Sequence, residues 1–316
     1  MFIKYSLLKK ILLYPIVVFF FFNNYSYSSD IKNFKKREFC YNIKIDTLQK
    51  NKILKNSNIN FDEIPSDLCE NFSSTFSFDK DKIYWISGIA GITAGLIIID
   101  SKFDLKVKNL KIDHKWINNT SPYLTNFGSG YGALISGIYA AYSITTGYKK
   151  GEATSLLLLE SSIYSTIWTR FWKVIFGRER PSAYYNNPVH AGGKWYGPFV
   201  QIKNKAKLPV SSYDAFPSGH TSFAFSLATV FAEQYKSTFY VPITAYSLAT
   251  IVGITRTVEH THWLSDVFVG ACIGYFSGKS TIMIYKSKMK RVNEKEIKLN
   301  IEPDIFNNGL GANLTF

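Results

Sequence analysis

The chain has 316 residues, of which 46% are hydrophobic, and its formal net charge is +14. This hydrophobic fraction excludes a mainly disordered protein. The positive charge comes almost entirely from lysines dispersed along the sequence, and no nucleic-acid-binding motif accompanies them, so we expect no nucleic acid as a partner. Only six residues are arginine, which makes each one a candidate for a role that needs a planar, bidentate donor.

The N-terminus predicts an export signal over residues 1–28. Lysines precede an apolar run over 11–22, and small residues follow it at a spacing suited to cleavage. An uncleaved membrane anchor is the alternative. Export permits a disulfide, for which Cys40 and Cys69 are the natural pair.

The rest of the chain divides into a polar extension, a helical domain and a tail, over 29–80, 81–288 and 289–316 respectively. The helical domain contains six apolar segments, at about 83–100, 127–148, 154–175, 221–235, 238–254 and 264–286. The tail is typical of two short strands around an Asn-Asn-Gly turn. We therefore predict an all-α fold: a six-helix bundle with a polar N-terminal extension and a short C-terminal strand pair.

The apolar segments make membrane association an expectation, although the number of crossings stays open. The segment over 83–99 is long enough to span a bilayer, whereas the third helix carries Glu160 and Arg170. If all six helices crossed, the basic segment over 286–298 would lie outside, against the positive-inside tendency. We expect an exported, membrane-associated domain in a bacterial cell envelope.

Three polar segments lie at helix edges and carry the candidate chemistry. They are KVIFGRERP over 173–181, PSGH over 217–220 and TRTVEHTHWLSD over 255–266. A phosphoester site needs cations for the phosphoryl oxygens, and the candidates are Lys173, Arg180 and Arg256. Ser218 and Gly219 precede a helix, whose first N–H groups attract anions.

Two histidines supply the remaining groups. His262 and Asp266 are four residues apart, so in a helical turn the carboxylate can hold one ring nitrogen while the other attacks phosphorus. His220 can protonate the leaving oxygen and later activate water. His260 is a rival nucleophile, but Leu264 four residues later cannot orient it.

Each of these residues also has a purely structural interpretation. Lys173 and Arg180 together are typical of a solvated basic helix end. Arg256 can pair with Glu259, and Asp266 can stabilise the last helix as an acid in its first turn. The joint occurrence of all of them at helix edges favours a site.

The three segments resemble the three-part signature of the type 2 phosphatidic acid phosphatase and vanadium haloperoxidase superfamily, over roughly residues 82–286. The resemblance implies an all-helical core with the active site at one end. It also implies phosphate binding by Lys173, Arg180, Ser218, Gly219 and Arg256, with His220 as general acid, His262 as nucleophile and Asp266 as its partner. Thr255 departs from the serine that is usual in that family, but it retains the hydroxyl.

The leading hypothesis is a metal-independent phosphatase without a cofactor that acts on a lipid phosphate such as phosphatidate, an isoprenyl diphosphate or lipid A. One alternative is a soluble periplasmic acid phosphatase that acts on small phosphomonoesters. Another is a vanadate-dependent haloperoxidase, which would use the same anion pocket. A third alternative, from a different class of protein, is a non-catalytic envelope protein that binds anionic lipid.

Overall fold

The computed structural model describes residues 64–75, 80–184, 192–200, 210–299, 303–304 and 311–312. The predicted export signal, Cys40 and most of the polar extension lie outside these ranges. Cys69 is disulfide-bonded, and Cys272 is a free cysteine.

Helices make up nearly all of the described chain. The eight longest in the described ranges are α1 (Ile64–Thr75), α2 (Lys80–Asp113), α3 (Lys115–Thr125), α4 (Gly130–Thr146), α5 (Lys149–Phe176), α6 (Gly219–Gln234), α7 (Tyr240–Val258) and α8 (Leu264–Leu299). Short helical turns at Asn126–Gly128, Pro181–Tyr184 and Val210–Tyr213 complete the helical content.

Each of the six predicted helices overlaps one observed helix, but the predicted count is too low. The sequence prediction misses α1, which lies in the polar extension, and α3, which contains Pro122. Neither helix has a long apolar run, so apolar length is a poor guide to them. Helix α2 also continues about three turns past the predicted end, through a lysine-rich segment with good helix formers.

The tail contains one very short strand pair. Pro303–Asp304 and Gly311–Ala312 run antiparallel, with Pro303 opposite Ala312. Each strand has two residues, and the remainder of the tail after Leu299 lies outside the described ranges.

Helix α6 is the centre of the bundle and packs against α5, α7 and α8. Small residues allow α8 to approach it closely. A Cβ atom added at Gly270 would lie 2.5 Å from the Ser218 carbonyl oxygen, and one added at Gly278 would lie 2.7 Å from Thr229 Cβ. Because Ser218 is the N-cap residue of α6, this contact fixes the start of α6 against α8.

Helix α1 packs onto the bundle through α5 and α8. The Tyr164 hydroxyl donates to the Asn71 carbonyl oxygen at 3.2 Å, and the Phe72 ring stacks on Trp168 with centroids 5.2 Å apart. Lys288 forms an ion pair with Asp67. These contacts join part of the polar extension to the helices that follow it.

Within the described ranges, three helical stretches are long and apolar enough to cross a membrane: Ile83–Leu110, Tyr240–Val258 and Leu264–Met289. Only 17% of the apolar window of the first stretch is buried within the protein. Its exposed side chains include Trp85, Ile92 and Ile98. A continuous exposed apolar surface of this kind is typical of a membrane interaction.

Candidate active site

A cavity of about 470 Å³ lies at the end of the bundle where α6 begins. Five of the eight predicted site residues line it, namely Lys173, Arg180, Gly219, His220 and His262. The other three, Ser218, Arg256 and Asp266, are buried and do not line it. The three sequence segments therefore meet in space, since residues 173, 220 and 262 share one cavity.

The imidazole of His262 is oriented by a main-chain carbonyl group. Its Nδ1 lies 2.6 Å from the Ala215 oxygen, whereas Asp266 Oδ2 is 3.6 Å away. A carbonyl oxygen only accepts hydrogen bonds, so Nδ1 carries the hydrogen and Nε2 holds the lone pair in the neutral ring. Sequence analysis assigned this orienting role to Asp266, and it could not identify the carbonyl because Ala215 is 47 residues away.

Asp266 makes its own hydrogen bonds elsewhere. Its Oδ2 accepts from the Trp263 backbone N–H at 2.8 Å, and its Oδ1 accepts from Arg178 Nη1 at 2.5 Å. The first bond satisfies an N–H group at the start of α8, as an acid in the first turn does. Asp266 is thus both a helix-capping residue and a carboxylate beside His262.

Arg178 is a buried arginine that sequence analysis did not assign to the site. Its Nη2 donates to Asp100 Oδ2 at 2.7 Å, and its Nη1 also donates to Ser265 Oγ at 2.6 Å. The guanidinium lies 4.6 Å from the ring centroid of Trp195. One planar, fully buried cation therefore links α2 to the start of α8.

Asp214 lies between two of the predicted phosphate-binding cations. Its Oδ1 accepts from Arg180 Nε at 2.8 Å and Nη2 at 2.7 Å, and its Oδ2 is 3.9 Å from Lys173 Nζ. Lys173 also donates to the Asp214 carbonyl oxygen. A carboxylate therefore pairs with the groups that would bind phosphoryl oxygens.

Arg256 pairs with Glu259, as its structural interpretation predicts. The distance from Nη1 to Oε2 is 2.5 Å. Glu259 Oε1 also accepts from Ser121 Oγ and Thr125 Oγ1, both at 2.8 Å and both on α3. Helix α3, which sequence analysis missed, thereby holds the carboxylate that orients Arg256.

The hydroxyl retained at Thr255 is part of the same contact region. Thr125 Oγ1 lies 2.8 Å from Thr255 Oγ1, and the Thr255 hydroxyl donates to the Val252 carbonyl oxygen at 2.7 Å. A serine at this position would preserve both contacts. The departure from the usual family residue therefore keeps the hydrogen bonding intact.

The turn before α6 is held by backbone contacts and leaves its first residues open to the cavity. The Ser218 N–H donates to the Asp266 carbonyl oxygen at 3.0 Å, and Ser218 Oγ accepts from Thr221 Oγ1 at 2.9 Å. A Cβ atom at Gly219 would lie 3.6 Å from Thr169 and 3.9 Å from Lys173 Cε. Glycine thus leaves room between the helix start and the lysine.

His260, the rival nucleophile, lies in a separate contact. Its Nδ1 is 2.9 Å from Asp104 Oδ1, and Asp104 lies one turn after Asp100 on α2. His260 does not line the cavity that holds His262.

Burial and neighbouring cations lower the basicity of the cavity residues. Burial lowers the pKa of Lys173 to about 8, although Asp214 opposes the shift. The pKa of His220 falls to about 4 through burial and the charge of Arg256. Burial, together with Lys173 and Arg180, holds the pKa of His262 well below its ordinary value. Both imidazoles are therefore neutral at neutral pH.

Comparison with known proteins finds one matching family model. Residues 154–290 match the model of the PAP2 superfamily, and this range includes all eight predicted site residues. Over this range the chain is similar to the PAP2 superfamily.

The PAP2 segment also has curated relatives. A stretch of 68 residues is 41% identical to the lipid A 1-phosphatase of Porphyromonas gingivalis and covers 21% of this chain and 15% of that protein. A stretch of 81 residues is 33% identical to the probable diacylglycerol pyrophosphate phosphatase 1 of Schizosaccharomyces pombe and covers 22% and 29% of the two chains. Both alignments span less than a third of the relative.

Among solved structures, the crystal structure of Aquifex aeolicus LpxE matches with a TM-score of 0.40 and 19% identity. The match covers 58% of this chain and 95% of that one.

Several site residues around the PAP2 motifs were not predicted, and three of them had a signal in the sequence. Arg178 is one of only six arginines. Asp100 and Asp104 are acids at helical spacing in an otherwise apolar stretch, and both contact the segment around His260 and Ser265. Buried acids on an apolar helix usually have partners, so their spacing could have indicated this contact.

The described part of the PAP2 domain contains no group of three His, Cys, Asp or Glu side chains arranged to hold a metal ion. The cavity instead presents cationic and imidazole side chains, which suit an anionic ligand.

Proposed function

We propose that the chain is a phosphatase of the cell envelope that removes phosphate from a lipid through a phosphohistidine intermediate. The observation that carries this proposal is the single cavity lined by Lys173, Arg180, Gly219, His220 and His262. Its cations suit phosphoryl oxygens, and its two imidazoles suit nucleophilic and acid–base roles. The catalytic domain would be residues 81–288.

His262 is the proposed nucleophile because its Nε2 holds the lone pair. In the first step Nε2 forms a bond to phosphorus, and the bond between phosphorus and the ester oxygen breaks. The depressed pKa of His262 keeps the ring unprotonated at neutral pH, which the attack requires. The Ala215 carbonyl supports this role by accepting the hydrogen bond from Nδ1.

His220 is the proposed acid and base. It gives its proton to the leaving oxygen in the first step, and in the second it takes a proton from the water that attacks phosphorus. The nitrogen–phosphorus bond then breaks and inorganic phosphate leaves. The negative charge of a bound phosphate opposes the cationic neighbours of His220, so substrate binding raises its pKa toward the range where it can act as an acid.

Lys173, Arg180 and Arg256 would stabilise the charge on the transferring phosphoryl group. Arg180 must then exchange its contact with Asp214 for a phosphoryl oxygen, whereas Arg256 keeps its contact with Glu259. Gly219 would contribute its N–H group at the start of α6, and Ser218, whose own N–H donates to the Asp266 carbonyl oxygen, would contribute its hydroxyl. The carboxylate charge of Asp266 would stabilise the imidazole of His262, whose Nδ1 lies 3.6 Å from Asp266 Oδ2.

Two observations support a lipid substrate. The stretches Ile83–Leu110, Tyr240–Val258 and Leu264–Met289 suit a membrane, which brings the site close to lipid headgroups. The curated relatives quoted above are named as phosphatases of lipid A and of diacylglycerol pyrophosphate. Phosphatidate, an isoprenyl diphosphate and lipid A are the candidate substrates.

Phosphate release by the purified, detergent-solubilised chain in the presence of EDTA tests the proposal. The substrates are phosphatidate, an isoprenyl diphosphate, lipid A and a soluble aryl phosphate. We expect release from a lipid by wild type and by Lys236→Gln, whose exposed side chain lies beyond the far end of α6, and none by His262→Ala. Preferred cleavage of the aryl phosphate would favour the soluble acid phosphatase, and release by His262→Ala would exclude the nucleophile assignment.

Trapping the intermediate separates a catalytic from a structural role of His262. Rapid quenching with ³²P-labelled substrate should leave label on wild type that is stable in alkali and lost in acid, as expected for a nitrogen–phosphorus bond. His220→Asn should accept label more slowly than wild type, because the acid of the first step is missing, and should then lose it slowly, because the base of the second step is missing.

A further inference from the structure

Arg170 is a cation of the cavity that the catalytic proposal does not use. It lies on α5 one turn before Lys173 and lines the same cavity. The other cations near the scissile phosphate have carboxylate partners: Asp214 contacts Lys173 and Arg180. Arg170, in contrast, makes no ion pair or hydrogen bond with any residue that the structure describes.

The burial of the α5 side chains shows on which side of the cavity Arg170 lies. Lys173 and Thr169 are 5% and 3% exposed, whereas Arg170 and Thr166 are exposed. All four residues line the cavity, so the face of α5 runs from a buried end at Lys173 to an open end at Thr166. Arg170 is therefore at the mouth, and it is three positions before Lys173, about 4.5 Å along the helix axis.

We propose that Arg170 is a specificity-determining residue that binds a second anionic group next to the scissile phosphate. The preferred substrates would then be lipid diphosphates rather than lipid monophosphates. A guanidinium one turn beyond the scissile site suits the next phosphoryl group in a diphosphate, because the long arginine side chain can reach a group joined to the scissile phosphate by a single oxygen. Arginine is also the side chain that matches two phosphoryl oxygens at once.

The scarcity of arginine supports the same role. The chain carries 37 lysines and arginines, of which only six are arginine. Four of these six line the cavity or lie buried beside it, namely Arg170, Arg180, Arg178 and Arg256. An exposed position whose only task was solubility would more often hold lysine in this sequence. The inference rests on the proposed function, since it names the substrate class of the same site.

Ligand binding tests this role without relying on turnover. Isothermal titration in detergent would compare farnesyl methylenediphosphonate with farnesyl phosphonate, which share one tail and are not hydrolysed. We expect Arg170→Gln to weaken binding of the diphosphonate by roughly tenfold more than binding of the monophosphonate. Arg170→Lys should restore part of the difference, and Lys236→Gln should show the wild-type ratio.

Equal weakening of both ligands, or no change in their ratio, would refute the second subsite. Failure of the wild type to bind the diphosphonate more tightly than the monophosphonate would refute it too. The outcome is independent of catalysis: an Arg170-dependent preference without phosphate release would retain the subsite and reject the phosphatase. Phosphate release without the preference would retain the phosphatase and reject the subsite.

Discussion

The Nδ1 atom of His262 lies 2.6 Å from the carbonyl oxygen of Ala215. The main chain therefore selects the ring tautomer, and the nearby carboxylate of Asp266 is not needed for that purpose. In triads where a carboxylate sets the tautomer, its conversion to an amide lowers kcat by about 10⁴-fold. We expect Asp266→Asn to lower kcat by only about 10- to 100-fold, measured as phosphate release in detergent.

His262→Ala provides the reference for that comparison, because it removes the proposed nucleophile. Asp266→Asn should retain the trapped phosphohistidine, whereas His262→Ala should lack it. A loss for Asp266→Asn as large as that for His262→Ala would mean that the carboxylate, and not Ala215, fixes the ring.

The buried guanidinium of Arg178 is expected to be a large contributor to stability. It is the common partner of Asp100 and Asp266, so Arg178→Met leaves two buried carboxylates without their cation. Breaking a buried ion pair costs about 3–5 kcal/mol. We expect a loss of this size in the free energy of unfolding, measured by denaturant titration in detergent.

The matched control for Arg178 is an exposed cation. Lys236→Met removes one positive charge at the other end of α6 and should change stability by less than about 0.5 kcal/mol. Similar losses for both variants would contradict the role of Arg178 as a buried link between α2 and α8.

His220 should make the folded protein sensitive to mild acid. Its pKa is about 4 in the folded protein, against an ordinary value of 6.5. Between these two pH values the unfolded chain binds a proton that the folded chain does not, so stability falls as the pH is lowered from 6.5 to 4. The upper limit of this contribution is on the order of 3 kcal/mol.

His220→Gln should therefore show a shallower loss of melting temperature over that pH range than wild type. Added phosphate should reduce the difference between the two, because a bound anion raises the pKa of His220. If wild type and variant show the same dependence of melting temperature on pH, with and without phosphate, protonation of His220 is not coupled to stability.

Asp214 should compete with phosphate for Arg180. Because its Oδ1 accepts both the Nε and Nη2 hydrogens, a phosphoryl oxygen must displace it. Asp214→Asn weakens that competition, so we expect inorganic phosphate to inhibit the variant at a roughly 3- to 10-fold lower concentration. Weaker inhibition would mean instead that Asp214 is needed to position Arg180.

Gly270 should tolerate no side chain. A Cβ atom there would lie 2.5 Å from the Ser218 oxygen, so Gly270→Ala must displace the turn before α6 or separate the helices, at a cost of about 1–3 kcal/mol. Activity should fall together with stability. Gly137→Ala is the control, since nothing lies within 4 Å of the added atom, and helix propensity favours alanine by about 1 kcal/mol.

The sequence predicts the reacting residues better than their supports. Lys173, Arg180, His220 and His262 were found because short motifs at helix edges combine residue types that suit one chemistry. All four line the same cavity. Such local patterns are visible in the sequence because each motif occupies only a few consecutive positions.

The supporting contacts depend on pairs that are distant in the chain. Arg178 and Asp100 are 78 residues apart, and Thr125 and Glu259 are 134 apart. Only the tertiary packing of α2 and α3 brings these pairs together, so periodicity within one segment contains no information about them. Polar α1 and α3 were missed for a related reason: their contacts with the bundle, and not an apolar run, keep them helical.

The bond from the Ser218 N–H to the Asp266 carbonyl oxygen has a consequence for how such a chain can diverge. Two motifs separated by 48 positions are held together through main-chain atoms, which substitution does not alter. The distance between the turn before α6 and the segment around His262 can therefore be kept while the surrounding side chains are substituted. A scaffold built in this way is free to acquire new headgroup preferences without rebuilding its reaction centre.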